Sequence, residues 1–175
     1  MQDILLVVDM QEDFVDGSLG TLEARSIVAN VVRKMENHQG PVIFTQDTHG
    51  PDYLETQEGR MLPVEHCIRG SRGWQIVQEV AQARQGRIIE KDTFGARDLP
   101  GLLMEMNEED PISSITLVGL CTDICVISNA MLIKAFLPEV PIIVDSDCCA
   151  GVTPQSHQVA LDAMRVCQIQ VTGPA

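Results

Sequence analysis

Residues 115–125 read Ile-Thr-Leu-Val-Gly-Leu-Cys-Thr-Asp-Ile-Cys, a short apolar run that turns into a segment of helical periodicity. Consecutive apolar and β-branched residues suit a strand of a parallel sheet, which is covered on both faces and needs no polar alternation. Residues 122–136 then place apolar side chains at helical spacing. Outward from this unit the pattern repeats. Residues 4–8, 41–45, 86–89, 141–144 and 168–171 read as further strands, and residues 22–38, 73–84, 99–106 and 154–167 as helices. Such alternation implies right-handed βαβ crossovers and an α/β fold, a doubly wound, mainly parallel six-stranded sheet with helices on both faces. With no repeat, low-complexity tract or linker, residues 1–175 are expected to form a single domain.

Composition narrows the function. Hydrophobic residues make up 45% of the chain, enough for a packed core rather than disorder. A formal charge of -13 repels phosphate, so nucleic acid and anionic membrane surfaces are poor partners. The apolar run at residues 4–8 has no basic flank or small-residue cleavage site and is too short for a signal or a membrane span. A cytoplasmic protein is expected, with Cys67, Cys121, Cys125, Cys148, Cys149 and Cys167 as reduced thiols.

In open α/β sheets the site lies beyond the carboxyl ends of the strands. That rule selects Asp9, Asp47, His49, Lys91, the turn at residues 118–125, and residues 145–149. No G-x-G-x-x-G follows the first strand and there is no P-loop, which disfavours nucleotide binding. If Thr122 is an N-cap, Cys125 is the third helical residue, among unpaired backbone N–H groups. Those donors and the helix dipole would favour a thiolate and lower the thiol pKa. They would also suit the oxyanion of a tetrahedral intermediate. This segment alone equally fits two small buried core thiols. The C-x-x-x-C spacing speaks against a redox pair, and no further Cys or His stands nearby at zinc-ligand spacing.

Three segments in order, Val7-Val-Asp-Met-Gln-Glu-Asp-Phe14, Glu90-Lys-Asp-Thr-Phe-Gly-Ala96 and the cysteine turn, decide between these readings. Together they resemble the isochorismatase-like cysteine hydrolases, and within them the nicotinamidases, over essentially the whole chain. The resemblance implies catalytic Asp9, Lys91 and Cys125, with Asp9 as proton carrier, Lys91 as the nearby positive charge and Cys125 as nucleophile. It implies an oxyanion hole from the backbone N–H groups of Cys121 and Cys125, and a cis peptide at Leu120–Cys121. Phe14 matches a substrate-binding aromatic of nicotinamidases. The second aromatic of that sandwich is missing, since Pro63-Val-Glu65 stands in its place, leaving Tyr53 or Trp74 as substitutes. Residues 145–150 resemble the pocket-shaping segment after strand five.

The aperiodic segment at residues 47–73 is long for a loop in a compact domain, which usually signals function. Its Asp-x-His and later His-Cys are similar to the nicotinamidase metal pattern. Carried over by position, Asp47, His49 and His66 are ligands, joined by Glu58 or, second, Glu55. Nitrogen and carboxylate donors suit a divalent transition metal, Zn, Fe or Mn. The alternative is a pair of solvated loop histidines.

The implied activity is hydrolysis of nicotinamide to nicotinate and ammonia through a thioester, feeding NAD salvage. The partner is then a small-molecule amide, with a homo-oligomer as a further expectation from the family. The alternatives are an amidase for a carbamoyl or ureido compound, an isochorismate hydrolase, which has no use for Cys125, and a non-catalytic binding protein.

Overall fold

A computed structural model describes residues 1–83 and 85–173. Its strands are β1 (Gln2–Val8), β2 (Val42–Asp47), β3 (Arg87–Lys91), β4 (Ile112–Leu120), β5 (Ile142–Ala150) and β6 (Gln170–Thr172). All pair in parallel, in the order β3-β2-β1-β4-β5-β6. The order reverses between β1 and β4, and the carboxyl ends there form the crevice that doubly wound sheets offer to ligands.

Short helices α1 (Glu12–Val15) and α3 (Gln57–Met61) lie in the connections around the site. Larger ones cover the sheet, α2 (Leu22–Asn37) and α4 (Gln78–Ala83) on one face. On the other lie α5 (Leu99–Glu109), α6 (Ile127–Phe136) and α7 (Pro154–Val166). In β1, Ile4, Leu6 and Val8 enter one core and Leu5 and Val7 the other. This two-sided burial is why the strand has no polar alternation. Helix α2 begins where the Thr21 hydroxyl accepts the Ala24 N–H at 3.0 Å. It buries Ala24, Ile27, Val31 and Met35. Its β-branched residues each cost a few tenths of a kcal/mol in helix propensity, whereas burying each large side chain returns ~1.5–3 kcal/mol. Packing decides.

Several boundaries differ from the sequence reading. The helix expected at 73–84 is formed only over Gln78–Ala83, and Arg84 lies outside the described residues. Residues before it spend their backbone groups on the site. Trp74 O accepts the side-chain amides of Gln11 and Gln46, and Gln75 O accepts Glu12 N–H. Strand β5 runs on to Ala150 past its polar residues because the ladder with β4 slips. Leu117 pairs with Val144, yet Gly119 pairs with Cys149, so residues 145–148 bulge out. The 47–73 segment holds the 3-10 turn Tyr53–Glu55 and α3.

The expected helix at 122–136 opens with a π-helical turn, Thr122–Val126, before α6. Gly119 makes this entry possible. Its φ is +115°, and a Cβ there would meet Val8 O at 2.1 Å. No helix among the described residues is long and apolar enough to cross a membrane.

Candidate active site

Asp9 follows β1, Asp47 and Lys91 end β2 and β3 in direct register, and Cys125 follows β4. Adjacent strands therefore deliver these four side chains to one point. Lys91 Nζ lies 2.7 Å from Asp9 Oδ2, 2.9 Å from Asp47 Oδ1 and 3.4 Å from Cys125 Sγ. The Thr45 hydroxyl donates to Asp9 Oδ1 at 2.6 Å, leaving Oδ2 to the ion pair, without a hydrogen bond of good geometry. Asp9, Lys91 and Cys125 are all buried.

The turn carrying Cys125 is fixed from several sides. The Leu120–Cys121 peptide is cis. Asn129, fully buried, donates to Cys125 O at 2.8 Å and accepts the Ala96 N–H at 2.9 Å, tying the turn to the loop after Lys91. The expected Thr122 cap is not made. Cys121 occupies the N-cap position, no side chain caps the helix, and the Thr122 hydroxyl instead pairs with His157 Nδ1 at 2.7 Å. Cys121 O receives the N–H groups of Ile124 and Val126 and passes over that of Cys125. Among the described residues the Cys121 N–H has no backbone acceptor.

The expected lowering of the Cys125 pKa is reversed. Burial, then the charge of Asp9, pushes the thiol well up, against the opposing pull of Lys91. Burial also raises Asp9, offset in part by Lys91. For Lys91 burial favours the neutral amine, but Asp9, Cys125 and Asp47 outweigh it and hold the ammonium. The resting set is thus a thiol beside a lysine–carboxylate pair. Cys121 is likewise a neutral thiol, raised to about 12 by burial and by Asp123.

Beside this set, Asp47 Oδ2 lies 2.8 Å from His49 Nε2 and 3.7 Å from His66 Nε2, and Glu58 Oε1 is 3.8 Å from each histidine nitrogen. His66 Nδ1 faces Val64 O at 2.8 Å. A carbonyl can only accept, so Nδ1 carries the proton and Nε2 turns its lone pair to the cluster. His49 Nε2 is buried without a hydrogen bond of good geometry. Burial favours neutral His49, yet the hydrogen bond and charge of Asp47, with Glu58, raise its pKa. The two imidazoles and the Asp47 carboxylate, with Glu58 beside them, are a donor set of the kind that fits a divalent transition metal. Of the two glutamates expected from the sequence, Glu58 is the one that reaches both histidines. Glu55 is exposed and outside the cluster.

Residues the sequence reading passed over hold this geometry. Gln11, fully buried, donates to Asp47 O and accepts the Asp47 N–H, at 2.8 and 2.7 Å. Asp13 accepts the Cys67 N–H at 2.8 Å, and His49 pairs with the strand-like segment at Cys67–Arg69, which brings the two histidines together. Gln11 and Asp13 lie inside the first quoted motif, the only signal that marked them. The aromatic substitutes are corrected. Tyr53 is fully buried and packs on His49 and His66 at 4.7 and 4.9 Å, positioning them. Trp74 donates to Thr48 and lies outside the cavity.

The cavity holds about 450 Å³. Cys125, Asp47, Glu58 and His66 line it alongside Phe14 and Phe94, the ring that sequence reasoning missed. Beyond β5 it is lined by Gly151 and Val152, not by residues 145–150. Asp145 instead pairs with Lys34.

The isochorismatase domain profile matches residues 3–174. The chain belongs to the isochorismatase family. Nicotinamidase/pyrazinamidase PncA from Bacillus subtilis superposes with a TM-score of 0.81, at 26% identity over 99% of this chain and 100% of that one. N-carbamoylsarcosine amidase from Thermoplasma acidophilum does so at 0.76, with 27% identity over 98% and 96%. Pyrazinamidase of Pyrococcus horikoshii in complex with zinc reaches 0.80, with 23% identity over 99% and 100%, a likeness of fold. This isochorismatase-family hydrolase thus presents the Cys125 thiol to a largely apolar cavity, with the Lys91 ammonium touching both that thiol and the Asp9 carboxylate.

Proposed function

We propose that the protein is a cysteine amidohydrolase acting on nicotinamide, with Asp9, Lys91 and Cys125 as its catalytic residues. The observation that carries this reading is Lys91 Nζ within 3.4 Å of both Asp9 and Cys125, beside a His-Asp-Glu donor cluster opening on the same cavity. Asp9 removes the thiol proton as sulfur attacks the amide carbonyl. The proton moves between two buried acids, so the charge in the pocket is unchanged and Lys91 stabilises either arrangement. The oxyanion that forms is held by the N–H groups of Cys121 and Cys125. Asp9 then passes its proton to the amide nitrogen, the C–N bond breaks, and ammonia leaves a thioester on Cys125. Water, deprotonated by Asp9, cleaves the thioester, and the thiolate regains the proton.

Asp47, His49, Glu58 and His66 would hold the metal, which would supply a Lewis-acid anchor for the pyridine nitrogen. Phe14 and Phe94 would flank the ring. Elemental analysis should find a bound transition metal in active protein, lost in His66→Ala. Active protein without metal would remove the ligand set.

A second reading has support. The cavity lies within the roughly 300–1,000 Å³ typical of drug-sized ligands, more than a single pyridine ring requires. Another small amide, such as a carbamoyl or ureido compound, is the alternative. A substrate panel read by ammonia release separates them, because turnover of another amide without turnover of nicotinamide moves the assignment.

A further inference from the structure

Two side chains suited to capping stand at the start of the nucleophile helix, and neither caps it. Thr122 gives its hydroxyl to His157 on α7 at 2.7 Å, and Asp123 accepts the Val152 N–H at 3.1 and 3.3 Å. Both are drawn away from the first-turn N–H groups toward the segment between β5 and α7. That segment is closely packed, since a Cβ on Gly151 would sit 2.8 Å from the His157 backbone nitrogen. Threonine and aspartate are among the best N-cap residues, and cysteine, which holds the position here, is not. Local preference therefore favours a different arrangement, with the Thr122 hydroxyl accepting from the N–H of Ile124 or Cys125.

We propose that His157 is a positioning residue of this site: by holding the Thr122 hydroxyl, it keeps the Cys125 N–H free for the oxyanion of the substrate. The inference rests on Cys125 as nucleophile, as proposed above. Thr122 is fully buried, so without His157 its hydroxyl must find another partner. In its own turn Cys121 O already takes the N–H groups of Ile124 and Val126, which leaves the Cys125 N–H, the one the reaction needs.

Backbone amide exchange at Cys125 in the substrate-free protein tests this, alongside steady-state turnover. His157→Ala is expected to slow Cys125 exchange and lower kcat on the order of 10- to 100-fold with KM within about twofold, as loss of an oxyanion donor does. His157→Asn, which still reaches the hydroxyl, should restore both. In the Thr122→Ala background His157→Ala should change neither, because no hydroxyl is left to compete. Unchanged Cys125 exchange in His157→Ala overturns the inference, as does an equal kcat loss in the Thr122→Ala background. His157→Leu, which fills the volume without a hydrogen bond, gives the same comparison if the alanine variant does not fold. A wild-type protein that hydrolyses no amide defeats the proposed function, while the exchange comparison still decides His157.

Discussion

At Cys125 the quantity that matters is the difference between its acidity and that of Asp9, not the thiol pKa alone. Burial raises both acids and leaves the proton on sulfur at rest, with Asp9 the second cause of that protonation. Asp9→Asn removes the carboxylate charge and leaves Lys91 beside the thiol. The variant's thiol should then titrate at lower pH than the wild type's, seen in thiolate ultraviolet absorbance. Its ammonia release should nevertheless fall on the order of 10²–10⁴-fold, because the proposed proton carrier is gone. A thiol pKa that stays or rises in Asp9→Asn would contradict the charge assignment. The sequence reading expected a lowered thiol pKa, and burial with the Asp9 charge raises it instead. Helix position alone suggested a thiolate, whereas burial and the Asp9 charge are long-range effects that no local pattern carries.

At the level of elements, β4 and its turn set where Cys125 stands. Gly119→Ala would place a Cβ 2.1 Å from Val8 O at a φ of +115°. A cost of about 1–3 kcal/mol or more in unfolding free energy is expected, with loss of activity as β4 separates from β1. Wild-type stability in denaturant titrations of that variant would contradict the close approach. The six strands and the large helices were legible because buried parallel strands are continuous apolar runs and amphipathic helices are periodic. The exceptions have physical causes. Residues 73–77 lack the expected helix because the Trp74 and Gln75 carbonyls bind Gln11, Gln46 and Glu12. Polar residues 145–148 bulge within β5 because its ladder with β4 slips. Thr122 loses its cap to His157, a residue 35 positions away.

For the whole molecule, the topology joins what the chain separates, since Asp9, Asp47, Lys91 and Cys125 meet only through the order β3-β2-β1-β4. Short motifs located these residues. Gln11, Phe94 and Asn129 were not assigned, and Tyr53 was assigned to the substrate ring rather than to the histidines, because their roles depend on contacts between distant segments. The fold also buries several further thiols. Cys121 and Cys148 are each raised to about 12, and Cys67 and Cys149 are raised too, with burial the first cause in every case. A raised folded pKa means full stability below the unfolded value and loss as pH climbs above it. Each such thiol should withdraw up to about 1.4 kcal/mol per pH unit from about pH 8.5 upward. Unfolding titrations should show declining stability toward about pH 10, and a flat profile over that range would contradict the burial of these thiols. In the proposed function, Cys125 performs amide hydrolysis. Its most direct test is ammonia release from nicotinamide by the wild type and by Cys125→Ala. Steady release by the wild type and none by the variant is expected. Equal release from both proteins, or none from the wild type, would contradict it.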